Sequence, residues 1–144
     1  MGIANRVFPA KHNGIERRGL MDALDASQSL VWFDGAGVII DANANALRLF
    51  AYGESDIVKQ DYFTLCHVGS KHTLADKREW ARIAVGETCH TERSYTAQDG
   101  NEIWSSVNFA ALKNDDGTTR RVLAMFTDMG RYAWKPNDVS RPRY

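Results

Sequence analysis

Cys66, His67, His72, Cys89 and His90 are side chains whose types suit metal ligation or thiol chemistry. Zinc takes tetrahedral sets of thiolate and imidazole, and such sets are recognised as CxxC or HxxxH pairs because two ligands from one turn of chain must reach one ion. Neither spacing occurs, and the five residues would have to converge from separate elements. Two cysteines do not form a disulfide framework in a chain of 144 residues, so both are expected to be reduced. There is no GxSxG, no P-loop, no HExxH and no glycine-rich dinucleotide turn. The acidic pair Asp115 and Asp116, and Asp99 before Gly100, read as hairpin turns rather than as paired catalytic carboxylates. Catalysis by this chain alone is not expected.

Composition limits the partners. With 44% hydrophobic and 25% charged residues, the 144-residue chain has the statistics of one globular domain. Eighteen Lys and Arg balance eighteen Asp and Glu, and no long basic block occurs, so the electrostatic footprint of a nucleic-acid-binding protein is absent. No window approaches the roughly 20 apolar residues of a membrane span, and MGIANRVFPAKHNG lacks the apolar core of a secretory signal. A cytoplasmic location is expected.

Four regions can be separated. Residues 1–14 read as a flexible arm and 15–28 as an amphipathic helix in which Leu20, Met21 and Leu24 form a stripe with Asp22 and Asp25 between them. Residues 29–130 form the body. Residues 131–144, with Pro136 and Pro142 among polar and basic side chains, read as a tail or linker whose Tyr132 and Trp134 could dock on the domain or on a partner. The stripe of the first helix needs cover, either on the outer face of a sheet or on its twin in a homodimer.

Within the body, Leu30–Phe33 and Val38–Asp41 flank an Asp-Gly turn and predict a hairpin. Asn43 or Asn45 can cap a helix over NALRLFAYG, with Gly53 as its stop. ESDIV and YFTLC have short helical character. HTLADKREWARIAVGE is the strongest helix signal, with Thr73 and Asp76 at capping-box spacing and Gly86 at its end. Three strands follow in CHTERSYT, IWSSVNFAAL and RRVLAMFTD, separated by the turns QDGN and NDDG. This order is α+β with an antiparallel sheet.

FDGAGVIIDANANALRLFAYGESDIV resembles the opening of a PAS domain, in which an F-D-x-x-G-x-I hairpin leads through x-x-A-N-x-A into a helix ending F-G-Y-x-x-x-E-I-V. REWARIAVGE, SYTAQDGNEIWSS and LKNDDGTTRRVLAMFTDMG are similar to later segments of PAS modules from bacterial chemotaxis receptors and aerotaxis transducers. The resemblance covers Asp22 to Gly130. It departs at Ala51, Asp56 and Gln98, and at Met129 and Gly130, which stand where the family has the Ile-Thr pair that ties the last strand to an output linker.

The resemblance implies a five-stranded antiparallel sheet with short helices on one face and a pocket between the layers. By strand periodicity Ser105, Val107 and Phe109 share one face, as do Val122, Ala124 and Phe126, and by analogy these line the pocket. Large inward residues such as Phe109, Met125 and Phe126 could fill it instead. Blue-light receptors of the family use amide side chains near the positions of Ser105 and Phe126 and a cysteine in G-x-N-C-R-F-L-Q. Cys66 has none of that motif, so a flavin–thiol adduct is not expected.

FAD stays open through Trp80, matching a tryptophan of the aerotaxis branch, although Trp80 can equally pack with Ile83 and Ala84 as core. The resemblance extends to oxygen-sensing PAS domains, whose axial histidine stands near the position of His72 relative to the Asp99-Gly100 turn; on that ground haem b is preferred to FAD, with His72 as axial iron ligand and His67 as second candidate, both of which can also be plain loop histidines. On a helix, His72, Ala75 and Ile83 would share a side. Two classes of function follow: a cytoplasmic sensor of oxygen, other gas or redox state in a chemotaxis-like signalling protein, or a cofactor-free interaction and dimerisation module. Either acts on a downstream signalling domain or partner protein.

Overall fold

The computed structural model describes residues 14–66 and 73–130. The arm up to residue 13, His67, His72 and the tail from residue 131 lie outside the described residues.

The turn-forming Asp34–Gly37 segment reverses the chain as its composition requires. The Asp34 carboxylate accepts from the backbone N–H groups of Ala36 (2.9 Å) and Val38 (3.0 Å), closing an Asx turn between β1 (Ser29–Asp34) and β2 (Ile39–Ala42). The later hairpins join β3 (His90–Thr96), β4 (Glu102–Lys113) and β5 (Thr119–Asp128). The acidic residues between them do turn work: Asp116 accepts from the hydroxyl and the N–H of Thr118, which hold its carboxyl below the ordinary range.

The strands form one antiparallel sheet in the order β2-β1-β5-β4-β3. First and last strands are therefore neighbours. Register places Val31 opposite Ala124, Phe33 opposite Val122 and Val107 opposite Phe126, so the inner face is continuous and apolar. Met125, expected among the inward residues, points the other way: β5 alternates with Val122, Ala124 and Phe126 buried inward, and Met125 pairs with Leu30 outside the core cluster.

Helices α1 (Gly14–Ser27), α2 (Ala44–Phe50), α3 (Glu54–Ile57), α4 (Tyr62–Cys66) and α5 (Leu74–Ala84) complete the fold. The last four close the inner face. α5 begins at the expected capping box: Thr73 accepts from the Asp76 N–H and Asp76 accepts from the Thr73 N–H. Its far end is tied to the β4–β5 hairpin, because the Ala84 carbonyl accepts from Lys113 Nζ and from the Thr119 hydroxyl.

α2 ends earlier than expected. Ala51 takes the left-handed conformation (φ 58°) and its N–H turns back to the Arg48 carbonyl, while Gly53 serves as the position before α3. An L-residue in that region is strained by about 1–2 kcal/mol, and glycine is not. Ala51→Gly is therefore expected to stabilise the fold by about 1 kcal/mol after the entropy glycine adds to the unfolded chain, read as a rise in thermal midpoint.

α1 leaves its apolar stripe partly in solvent. Its main packing within the chain is against α2, and Leu20 and Met21 stay 39% and 44% exposed. Among the described residues no helix is long and apolar enough to cross a membrane.

Candidate functional site

The interior between sheet and helices is built of aromatic rings that meet across the two layers. Phe33 of β1 lies 5.1 Å, ring centre to ring centre, from Trp80 of α5, and Trp80 lies 5.2 Å from Tyr62 of α4. Tyr62 meets Phe109 of β4 at 6.0 Å, and Phe126 of β5 meets Phe50 of α2 at 5.0 Å and Tyr95 of β3 at 5.3 Å. Most of these pairs are edge-to-face, the arrangement that the ring quadrupole favours. The gap between the layers is thus bridged by side chains in contact.

Trp80 is fixed at the pyrrole side of its indole. Nε1 donates to the Gly35 carbonyl at 3.0 Å, and the ring lies flat enough on the β1–β2 turn that a Cβ on Gly37 would come within 3.1 Å of it. Gly37 also has φ 92°, so glycine is required there for two independent reasons.

Two hydroxyls and a thiol are enclosed with the rings. Tyr62 and Tyr95 share a hydrogen bond of 2.9 Å at the centre. Burial, and then the neighbouring Tyr95, holds the Tyr62 phenol well above its usual range; burial likewise raises Tyr95 and pushes the Cys66 thiol up to about 12. All three are neutral at physiological pH and supply neither base nor nucleophile there. Native protein at pH 8 is accordingly expected to show one fast thiol towards a disulfide reagent, the exposed Cys89, with Cys66 reacting only on unfolding. Cys89→Ser should abolish the fast phase.

At the border of this interior Arg93 of β3 bonds Glu79 of α5 at 2.6 Å and sits 5.3 Å over the Tyr95 ring. The pair joins an outer strand of the sheet to the long helix and remains partly solvated, which limits its contribution to stability.

The structure brings together Trp80, Ile83, Ser105, Val107, Phe109, Ala124 and Phe126 from the expected site, all buried. Ser105 is spent on backbone, donating to the carbonyls of Ser106 and Thr127 at 3.0 Å. Ala75 is exposed, so the inward side of α5 is formed by Asp76, Trp80, Ile83 and Ala84 and not by the side on which Ala75 lies. Phe33, Phe50, Tyr62 and Tyr95 were not read from the sequence. Period two through Tyr95, which puts Arg93 on the same face, was the available signal.

His67 and His72 lie outside the described residues. His90 is exposed, its Nδ1 3.0 Å from Asn108 Oδ1, away from the rings. Cys66 is buried while Cys89 is exposed, and among the described residues no three metal-ligating side chains converge. A porphyrin or an isoalloxazine would have to displace several of the touching rings, and Ser105 has no unspent donor to offer a flavin edge. Among the described residues, the interior as packed takes neither group without such displacement.

Residues 28–131 match the profile of a PAS domain family. A curated relative, the biofilm dispersion protein BdlA of Pseudomonas aeruginosa, is 28% identical over 109 residues, covering 76% of this chain and 26% of that protein. The chain thus spans about a quarter of the relative's length. Among solved structures, a domain of a sensory box sensor histidine kinase/response regulator from Geobacter sulfurreducens superposes with a TM-score of 0.63 at 21% identity, over 83% of this chain and all of that one (100%). The PAS domain of an HTR-like protein from Haloarcula marismortui gives 0.61 at 20%, over 79% and 93% of the two chains. A LOV protein of Rhodobacter sphaeroides gives 0.61 at 14%, over 79% and 69%. These structural likenesses establish the fold.

Proposed function

Because this chain belongs to the PAS domain family, we propose that it is a sensory and signal-relay module that works through protein contacts, its interior held by its own aromatic side chains rather than by a resident planar cofactor. The observation that carries this reading is the ring-to-ring contact from sheet to helices, with Tyr62 and Tyr95 bonded to each other at its centre. Signal then passes as a shift between two packings of the outer surfaces, which needs a partner that contacts the two states differently. The relative from Pseudomonas aeruginosa, of which this chain spans about a quarter, supports placing the module in a larger signalling protein; a chemotaxis-like, cytoplasmic transducer with downstream domains or a partner protein as the recipient is the setting we propose, and a homodimer joined through the exposed Leu20 and Met21 of α1 its working form. A binding role, not a catalytic one, accords with the neutral interior.

The competing reading is a haem or FAD sensor of oxygen, gas or redox state, with His72 or Trp80 in the leading role. The test is an absorption spectrum from 300 to 700 nm of protein produced with iron and a haem precursor, before and after dithionite. A colourless product is the expected result. A Soret band that weakens in His72→Ala, or flavin bands that bleach on reduction, would overturn the proposal in favour of the corresponding cofactor.

A further inference from the structure

The outward side of α5 is as regular as its inward side. Leu74, Arg78, Ala81 and Val85 follow one another at steps of four, three and four residues, which sets them in a single line along the helix. Val85, the cap residue, still holds a helical backbone conformation and so continues the line. All four are exposed, and Leu74 at 62% and Val85 at 56% are more exposed than any other large apolar side chain among the described residues. Steps of four and three alternate in the seam of a coiled coil, in which Leu74 and Ala81 would stand at d and Arg78 and Val85 at a. Lys77 then falls at g and Arg82 at e, one cation on each side of the line.

Neither carboxylate of α5 answers these charges. Asp76 is spent on the capping box and only 6% exposed, and Glu79 is bonded to Arg93. Lys77, Arg78 and Arg82 make no side-chain hydrogen bond or ion pair among the described residues. The terminal segments have the wrong sign to cover them: residues 1–13 carry Arg6 and Lys11 and no acid, and residues 131–144 carry Arg131, Lys135, Arg141 and Arg143 against Asp138. A lipid surface is also poorly served. Interfacial helices set a broad apolar face, often aromatic, beneath their cations, whereas here Arg78 stands in the middle of the line itself. At e and g positions, charge selects the partner helix, and cations there call for glutamates opposite.

Resting on the reading of this chain as a contact module, we propose that the outward line of α5 docks an acidic amphipathic helix of a partner protein. Its apolar side chains meet Leu74, Ala81 and Val85, and its carboxylates face Lys77, Arg78 and Arg82. The 11 residues of α5 span about 16 Å, so the contact is at the small end for a specific interface, weak and reversible. α5 is also placed to pass the contact on. Trp80 leads from it into the aromatic interior, Glu79 ties it to β3 through Arg93, and the Ala84 carbonyl holds Lys113 and Thr119 of the β4–β5 hairpin.

The test titrates the 144-residue chain into a fluorescein-labelled three-heptad peptide with Leu at a and d and Glu at e and g, read by anisotropy at low salt. Saturable binding with a Kd on the order of 100 µM is expected. Arg78→Glu with Arg82→Glu should weaken it at least about tenfold, in the range of lost interface anchors. The equal charge change Arg17→Glu with Arg18→Glu on α1 should not. All four sites are exposed, and circular dichroism checks that both variants fold. The decisive exchange is reciprocal: the α5 variant should gain binding to the same peptide with Lys in place of Glu, which the parent does not bind. Serine in place of the peptide's leucines should abolish binding. If the α1 variant weakens as much as the α5 variant, or the serine peptide binds as the leucine peptide does, the attraction is net charge alone and the proposal is overturned. Binding to phosphatidylserine vesicles that the α5 variant loses, with no peptide binding, overturns it in favour of a lipid surface. No binding to either probe overturns docking at α5 and leaves the contact-module reading, which the absorption spectrum tests separately, in place.

Discussion

Replacing Trp80 with alanine is expected to lower the unfolding free energy by about 3–5 kcal/mol, the range for removing a large aromatic side chain from a closed core. Against a total of about 5–15 kcal/mol for a domain of this kind, that is enough to put the variant near its unfolding limit. The size follows from what the indole touches: Phe33 and Tyr62 on two other elements, and the β1–β2 turn through the Gly35 carbonyl. Trp80→Phe keeps a ring in place and loses the N–H donor to the part-buried Gly35 carbonyl, so it should cost about 1–2 kcal/mol. The urea midpoint at constant slope reads both.

Gly37 supplies the internal check. Gly37→Ala meets the indole at 3.1 Å and a positive φ in the parent chain, but only the positive φ once Trp80 is alanine. The double variant should accordingly be less destabilised than the sum of the singles, by about 1 kcal/mol in the range usual for touching residues. The outcome bears on function. A Trp80→Ala cost under about 1 kcal/mol would describe a loosely packed ring with little around it, and would favour an interior that opens for a planar ligand over one that fills itself.

The sheet was legible in the sequence because its signals are local. Asp-Gly and Gly punctuate every hairpin, period two assigns Ser105, Val107 and Phe109 to one face, and the Thr73–Asp76 box marks where α5 starts. The misplaced residues are those whose position depends on the rest of the molecule. Gly53 looks like a helix stop, yet α2 closes at Ala51, because Tyr52 must turn inward into the core with its N–H returning to the Leu47 carbonyl. Met125 is as apolar as its neighbours, and in a strand apolar on both sides only the register with β1 says which side it takes. Tyr62 sits in a helix of five residues, too short for any periodicity, and Tyr95 in a strand that reads as polar. The candidate site was visible on its β4, β5 and α5 walls and hidden on the walls that the short helices and β3 contribute.

Asn43→Ala is expected to cost about 2–3 kcal/mol, more than a helix cap alone. The side chain answers for two helices and a strand at once: Oδ1 accepts from the Ala46 N–H at the start of α2 and from the Leu30 N–H of β1, while Nδ2 donates to the Asp25 and Gln28 carbonyls at the end of α1. Loss of the cap accounts for about 1 kcal/mol and the stranded, half-buried Leu30 N–H for about 1–2 more. Asn43→Asp separates the two roles. The carboxylate keeps both acceptor bonds and suits the positive end of α2, but it offers no donor and stands against the carbonyl end of α1. Global stability should then fall by less than in the alanine variant, while the amides of α1 lose protection from hydrogen exchange. Lowering the pH through the carboxylate range, near 4, restores a donor and should return part of that protection. If both variants instead cost the same and leave α1 exchange unchanged, the Asn43 amide does not hold the end of α1 in place.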